Sequence, residues 1–208
     1  MFFQMLADHP IRYFQLIVIM ILSICLHELA HGIAALNQGD DTPRRMGHMT
    51  LNPLVHMGWE SIIFLCVGGI AWGAMPVNPT KFRSRQWGDV LVSAAGPLSN
   101  LILGFVSVSM LMIAMRVEFL SVGFFYLAAR INLALCLFNL LPIPPLDGFH
   151  IFSKFFPELK ILDSPYCGLF ALMLFVASGL GASLYAVSDL IIQALVGSEL
   201  LNLLGRTS

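Results

Sequence analysis

Cys25-Leu26-His27-Glu28-Leu29-Ala30-His31 lies within an apolar run from Tyr13 to Leu36 in which Glu28 is the only formally charged residue. The spacing is His-Glu-x-x-His. On a helix, positions i and i+4 share a face, so both imidazoles can reach a single metal ion. Glu28 flanks that face and can touch a metal-held water without being a ligand. The run of 24 residues gives about 36 Å of helix, enough to span a bilayer with some tilt. His27 falls about 21 Å from its start and about 13 Å from its end, inside the membrane but nearer the exit side. Ala30, Gly32, Ala34 and Ala35 keep the end of the helix thin, so a neighbouring backbone can come close. A carboxylate and two histidines in such a setting are costly, and that marks them as functional.

The rest of the composition agrees. Of 208 residues, 58% are hydrophobic and 11% charged, with a mean hydropathy of +0.83. A soluble domain carries about 25% charge. The deficit, spread over several long apolar runs, predicts a polytopic membrane protein. Eleven basic and twelve acidic residues nearly cancel. No basic tract or RNA-type aromatic motif is present, which excludes a nucleic-acid partner. Cys25, Cys66, Cys136 and Cys167 stand singly in apolar runs, with no C-x-x-C pair. They read as buried apolar residues, not a disulfide framework or a zinc knot. The first run is too long for a signal-peptide core and lacks a cleavage site, so it belongs to the mature chain.

Along the chain, the metal helix covers 13–36 and a mixed region follows over 37–75. Alternation near Met46 to Leu51 predicts short strands and a turn at Asn52-Pro53, a small membrane-associated β-hairpin or sheet near residues 40–58. Trp59 to Ala74 is apolar but brief, which suits a re-entrant or interfacial hairpin. Spans are predicted at 90–115, 119–141 and 166–187, with an early break at Ala95 to Asn100 and an apolar tail to Leu204. The third span ends at Pro142-Ile143-Pro144-Pro145-Leu146-Asp147-Gly148, where a helix cannot continue. The expected fold is all-α with about four to six transmembrane or re-entrant segments. It forms one domain over 1–208.

A catalytic zinc typically takes three protein ligands and a water. His27 and His31 supply two, so a third donor is needed from a break at membrane depth. Asp147 fits, being acidic and set in a Pro/Gly-rich break after a full span. An Asp before Gly-Phe could instead cap the next short helix.

The sequence also resembles the site-2 protease family of intramembrane zinc metalloproteases. The likeness rests on His27 to His31, on Asn139-Leu140-Leu141-Pro142 leading to Leu146-Asp147-Gly148, on Thr50-Leu51-Asn52-Pro53-Leu54-Val55-His56, and on Val77-Asn78-Pro79 with Ala95-Gly96-Pro97-Leu98-Ser99-Asn100. These motifs stand in the family's order between about Leu22 and His150. The resemblance implies one zinc ion held by His27, His31 and Asp147, with Glu28 as general base and acid. It implies a substrate whose transmembrane helix is unwound locally before it is cut, received as an added strand by the 37–74 region. The expected setting is the lipid bilayer of a prokaryotic inner membrane. Asn139 could donate to the oxyanion or hold the substrate backbone, or it could satisfy carbonyls freed beside Pro142. His56 could contact substrate or simply hold a turn. Asn100, Asn132 and Arg130 read as polar groups satisfied within the bundle. His150 is near enough in sequence to support Asp147.

There are departures. Many members of that family carry an acidic residue where Gly58 stands, so no role for that acid carries over. No PDZ or CBS module is evident, and no complete span precedes the metal helix. Two other functions compete: a non-proteolytic protein that binds membrane helices, for which an intact Glu28 would be idle, and a metal-ion transporter.

Overall fold

The computed structural model describes residues 2–197, so the apolar tail expected to run to Leu204 lies partly outside the described residues. After α1 (Phe2–Asp8) the metal-binding motif sits in α2 (Pro10–Asn37), with Pro10 in its first turn. Proline is tolerated there because the amide it lacks would be unpaired in any case. Next come the single turn α3 (Thr42–Arg45), α4 (Pro53–Gly68), α5 (Gly88–Ala114), α6 (Val122–Asn139), α7 (Asp147–Phe155), α8 (Pro165–Ala177) and α9 (Leu180–Val196). The helices α2, α5 and α6 are each long and apolar enough to cross a membrane. This is a multi-pass, all-helical membrane protein.

Three expectations need correcting. No strand occurs among the described residues, and the 40–58 region is helical at both ends. Asn52 accepts a hydrogen bond from the Leu54 amide, 3.0 Å, and Pro53 occupies the first turn, so Asn52-Pro53 starts α4 instead of closing a hairpin. The break expected at Ala95 to Asn100 is absent: α5 continues through Pro97. Pro97 lacks an N–H for the Ser93 carbonyl, but its neighbours keep the helix together. The span expected at 166–187 is two helices, α8 and α9, bent by 64°. Gly179 makes the bend in the left-handed region at φ 72°, where a residue with a Cβ is strained.

Packing explains the arrangement. The α5–α6–α9 contact is built from Val108, Leu111, Ala129, Leu133 and Ile192. A side chain at Gly104 would press into Leu133, so glycine lets α5 and α6 approach closely. Tyr13, Ile17 and Ile24 of α2 pack on Met57 and Leu65 of α4. Arg130 meets Asp189 in a two-pronged pair at 2.7 and 2.9 Å, Tyr126 donates to the same carboxylate at 2.7 Å, and the Tyr185 ring lies 4.8 Å from the guanidinium. This cluster pins α9 to α6 and meets the expectation that Arg130 finds its partner inside the bundle. The four cysteines are free.

Past the end of α2, fully buried Asp40 accepts from the Asn78 amide at 2.6 Å and the Thr42 amide at 3.0 Å. Burial pushes its carboxyl up, but the hydrogen bond donated by the Thr42 hydroxyl, these amide bonds and the Lys81 ammonium outweigh it and hold the group below the ordinary carboxylate range. The clamp fixes where residues 70–78 run.

Those residues are non-helical and double back along α4. The Ser61 hydroxyl donates to the Trp72 carbonyl at 2.7 Å and accepts from its amide at 2.8 Å, and Ala74 donates to the His56 carbonyl at 2.9 Å. These contacts fold the segment after α4 back onto that helix.

Candidate active site

α2 carries His27 and His31 one turn apart, both buried together with Glu28. α5 crosses α2 at Gly96, where a Cβ would overlap the Nε2 atoms of both histidines. Only a bare backbone fits there. The third element arrives from the break after α6. Pro142, Pro144 and Pro145 keep the chain non-helical until Leu146, and α7 begins at Asp147. Gly148 lets that start sit directly on the backbone carbonyls of Leu140 and Leu141, which a Cβ would strike.

These elements bring together three donor atoms. His27 Nε2 and His31 Nε2 are 3.0 Å apart, and Asp147 Oδ2 lies 3.1 Å from the first and 3.3 Å from the second. Tetrahedral zinc with bonds of about 2.0–2.1 Å places its ligand atoms about 3.3–3.4 Å apart. The three donors nearly match that spacing, and among the described residues they form the one cluster of three or more metal-type side chains. Asp147 Oδ2 is buried without a hydrogen-bond partner. An unpaired buried carboxylate oxygen is costly, and a cation held between it and two imidazoles removes that cost. The residues present fit zinc.

The alternative role for Asp147 does not match the geometry. Leu146, not Asp147, occupies the cap position of α7, and no side chain caps the helix.

Around the donors, His27 Nδ1 lies 2.6 Å from Asn100 Oδ1 and His31 Nδ1 donates to the Val92 carbonyl at 2.7 Å. Such partners set the ring orientation of metal-binding histidines. The Glu28 carboxylate has no hydrogen bond or ion pair among the described residues. It faces a cavity of ≈1060 Å³ whose wall also includes His27, His31, Asn139, Asp147 and Tyr185. Gly73 passes so close that a Cβ there would overlap Glu28 Oε1.

Asn139 stands in the cavity wall and donates from Nδ2 to the Leu135 carbonyl at 3.1 Å. His56 is set differently. Its Nε2 holds the Thr50 carbonyl at 2.7 Å, its Nδ1 is buried without a partner, and its own carbonyl receives Ala74. Gly58 adopts φ 68° and kinks α4. Sequence reasoning missed Gly96, Gly73 and the Val92 carbonyl. Close backbone approach and a backbone acceptor leave no side-chain signal.

One prediction follows from the crossing. Gly96→Ala places a methyl group on both donor nitrogens, so zinc content should fall from about one per chain to near zero with helix content preserved. Metal analysis alongside circular dichroism checks this; full zinc occupancy would disprove the crossing geometry.

Comparison with known proteins agrees with this site. A model of peptidase family M50 matches residues 15–121 and 109–175. The chain is 38% identical over 179 residues to the candidate zinc metalloprotease YwhC of Bacillus subtilis, covering 80% of this chain and 82% of that one. It is 30% identical over 198 residues to the candidate zinc metalloprotease Rip2 of Mycobacterium tuberculosis, covering 86% and 74%. A third similar protein is sll0528 of Synechocystis, likewise named as a candidate zinc metalloprotease, at 29% identity over 132 residues, 64% of this chain and 28% of that one. No solved structure matches significantly. With the family pattern running through α2, α5, α6 and α7, this chain belongs to peptidase family M50, the site-2 protease family of membrane zinc metalloproteases.

Proposed function

We propose that the protein hydrolyses peptide bonds within or next to the transmembrane helices of other membrane proteins. The observation that carries this reading is the convergence of His27 Nε2, His31 Nε2 and unpartnered Asp147 Oδ2 beside Glu28, in a cavity lined by the membrane-type helices α2, α5 and α6. Zinc, when bound by these three side chains, supplies a Lewis acid that polarises the scissile carbonyl and makes water easier to deprotonate. Glu28 accepts the proton of the attacking water on its carboxylate and delivers it to the leaving amine. Having no protein partner, the carboxylate loses no ion pair when it does so.

The non-helical segment 70–78 supports the substrate class. Trp72 and Ala74 use their amides on α4. The amides of Ala71, Gly73 and Met75 meet no acceptor among the described residues. That is a non-helical stretch of open backbone next to Glu28. A locally unwound helix can add to it by backbone hydrogen bonds, giving affinity that is largely independent of side chains. His56 acts from behind, as a staple holding this stretch to the 46–52 loop. Asn139 retains one amide N–H for a substrate carbonyl. We place the protein in the inner membrane of a prokaryotic cell, in line with its bacterial relatives.

The test is cleavage of a single-span substrate by purified protein in detergent. Chelation should stop cleavage, and about one equivalent of zinc per chain should restore it. Cleavage that continues metal-free would overturn the proposal. Tight helix binding without cleavage would favour the non-proteolytic reading, and zinc flux across vesicles the transporter.

A further inference from the structure

We infer that Asn132 and Asn100 form a directional hydrogen-bond relay that holds the ring proton of His27 on Nδ1 and so turns its Nε2 lone pair toward the donor set. The inference rests on the zinc reading given above. It concerns two residues that the proposed chemistry does not otherwise use.

The two histidines are oriented in different ways. His31 Nδ1 faces the Val92 carbonyl at 2.7 Å. A carbonyl only accepts, so this ring must carry its proton on Nδ1, and no further device is needed. His27 Nδ1 faces a side-chain amide, Asn100, at 2.6 Å. An amide is ambiguous. Rotated by half a turn it presents N–H groups, the His27 proton moves to Nε2, and an N–H then points at the metal position. Something must forbid that rotation.

Asn132 does so. Its Nδ2 donates to the Ala128 carbonyl at 2.9 Å, one turn back on α6. Because that carbonyl cannot donate, the Asn132 oxygen is turned the other way, toward Asn100, whose Nδ2 donates to it at 3.4 Å. The Asn100 oxygen is thereby left facing His27. The direction is set at a backbone carbonyl on α6, passed through α5 and delivered to α2. Asn100 is fully buried and Asn132 is 4% exposed, and Asn100 meets the cavity only beside the donor set. With both rings protonated on Nδ1, two lone pairs and a carboxylate oxygen converge, an arrangement suited to a cation. Asn100 and Asn132 are positioning residues: neither is among the converging donors.

The experiment measures zinc affinity of the purified chain in detergent by competition with a chromophoric chelator. Asn100→Leu removes the acceptor and should weaken binding about 10–100-fold, the usual effect of losing such a partner. Asn132→Leu frees Asn100 to rotate and should weaken binding by about 10-fold. Asn100→Asp offers only acceptors, so it should bind within about threefold of wild type. The decisive variant is Asn100→Asp with Asn132→Leu. A carboxylate cannot be reversed, so the double variant should recover the affinity of Asn100→Asp alone. A purely structural role for Asn132 predicts no recovery. If the double variant binds as weakly as Asn132→Leu, or if Asn132→Leu binds like wild type, the relay is overturned. Asn132→Ala repeats the comparison should Asn132→Leu fail to elute as a single species. His27→Ala and Asp147→Ala separate the two levels. Wild-type affinity in both would sink the zinc reading, whereas their loss of zinc with no effect of the Asn variants sinks only the relay.

Discussion

Glu28→Gln is expected to lower the cleavage rate by about 10²–10⁴-fold, the range for loss of a general acid–base group, while zinc content stays at about one per chain. Glutamine keeps the size and shape of the side chain but cannot take a proton from water. The geometry separates the two readouts. Glu28 is not one of the three converging donors, so exchanging it leaves the metal centre intact. Its carboxylate has no protein partner whose loss would disturb α2, so folding should be unaffected. Measuring turnover and bound zinc on the same preparation makes the test decisive. A Glu28→Gln protein that retains zinc and cuts at the wild-type rate would remove Glu28 from the mechanism. The non-proteolytic reading makes the opposite prediction for the wild type, which would bind helices without cutting them.

Much of this site was legible in the sequence because its parts are local or punctuated. His27, Glu28 and His31 lie within one turn of an apolar helix, where spacing alone fixes which side chains share a face. Asp147 was findable because three prolines make a break that helical membrane proteins do not otherwise tolerate at depth. In the 40–58 region six residues of alternation imitate a strand, although a helix-start signal stands beside them. Asn52 followed by proline is a cap and first turn, and it also fits a tight turn. The backbone leaves the helix only after α4, where Gly69 ends it in the left-handed region and Gly73 clears Glu28. The bend at Gly179 was hidden because a lone glycine inside an apolar run is common in membrane helices. The Arg130–Asp189 pair and the Asn132–Asn100–His27 chain join residues far apart in sequence. Such pairings are decided by which helices pack together. For Asn100 and Asn132 the sequence pointed to amides satisfied within the bundle, and that is where they lie; that Asn100 also faces a metal-type histidine emerges only in three dimensions.

Asp147 carries the other large effect. Asp147→Ala is expected to weaken zinc binding on the order of 10²–10³-fold, the equivalent of about 2.7–4.1 kcal/mol, the scale of removing one partner of a buried charged contact. Cleavage should disappear with the metal. Asp147→Asn makes the sharper comparison. Asparagine caps helices as well as aspartate does, so a capping role predicts an unaffected protein. A ligand role predicts severe loss, because a neutral amide does not balance the charge of a zinc ion. The position in the fold favours the second outcome, since Leu146 occupies the cap and Asp147 Oδ2 points at the two imidazoles. Charge in the first turn of α7 also favours the helix dipole, but that contributes only about 0.3–1 kcal/mol. Thermal stability of the metal-free protein should therefore change little between aspartate and asparagine, while zinc affinity changes by orders of magnitude. Equal zinc affinity in the two would show that the α7 break delivers a helix start to the cavity and not a ligand. The reading of this chain as a zinc protease would then lack its third donor.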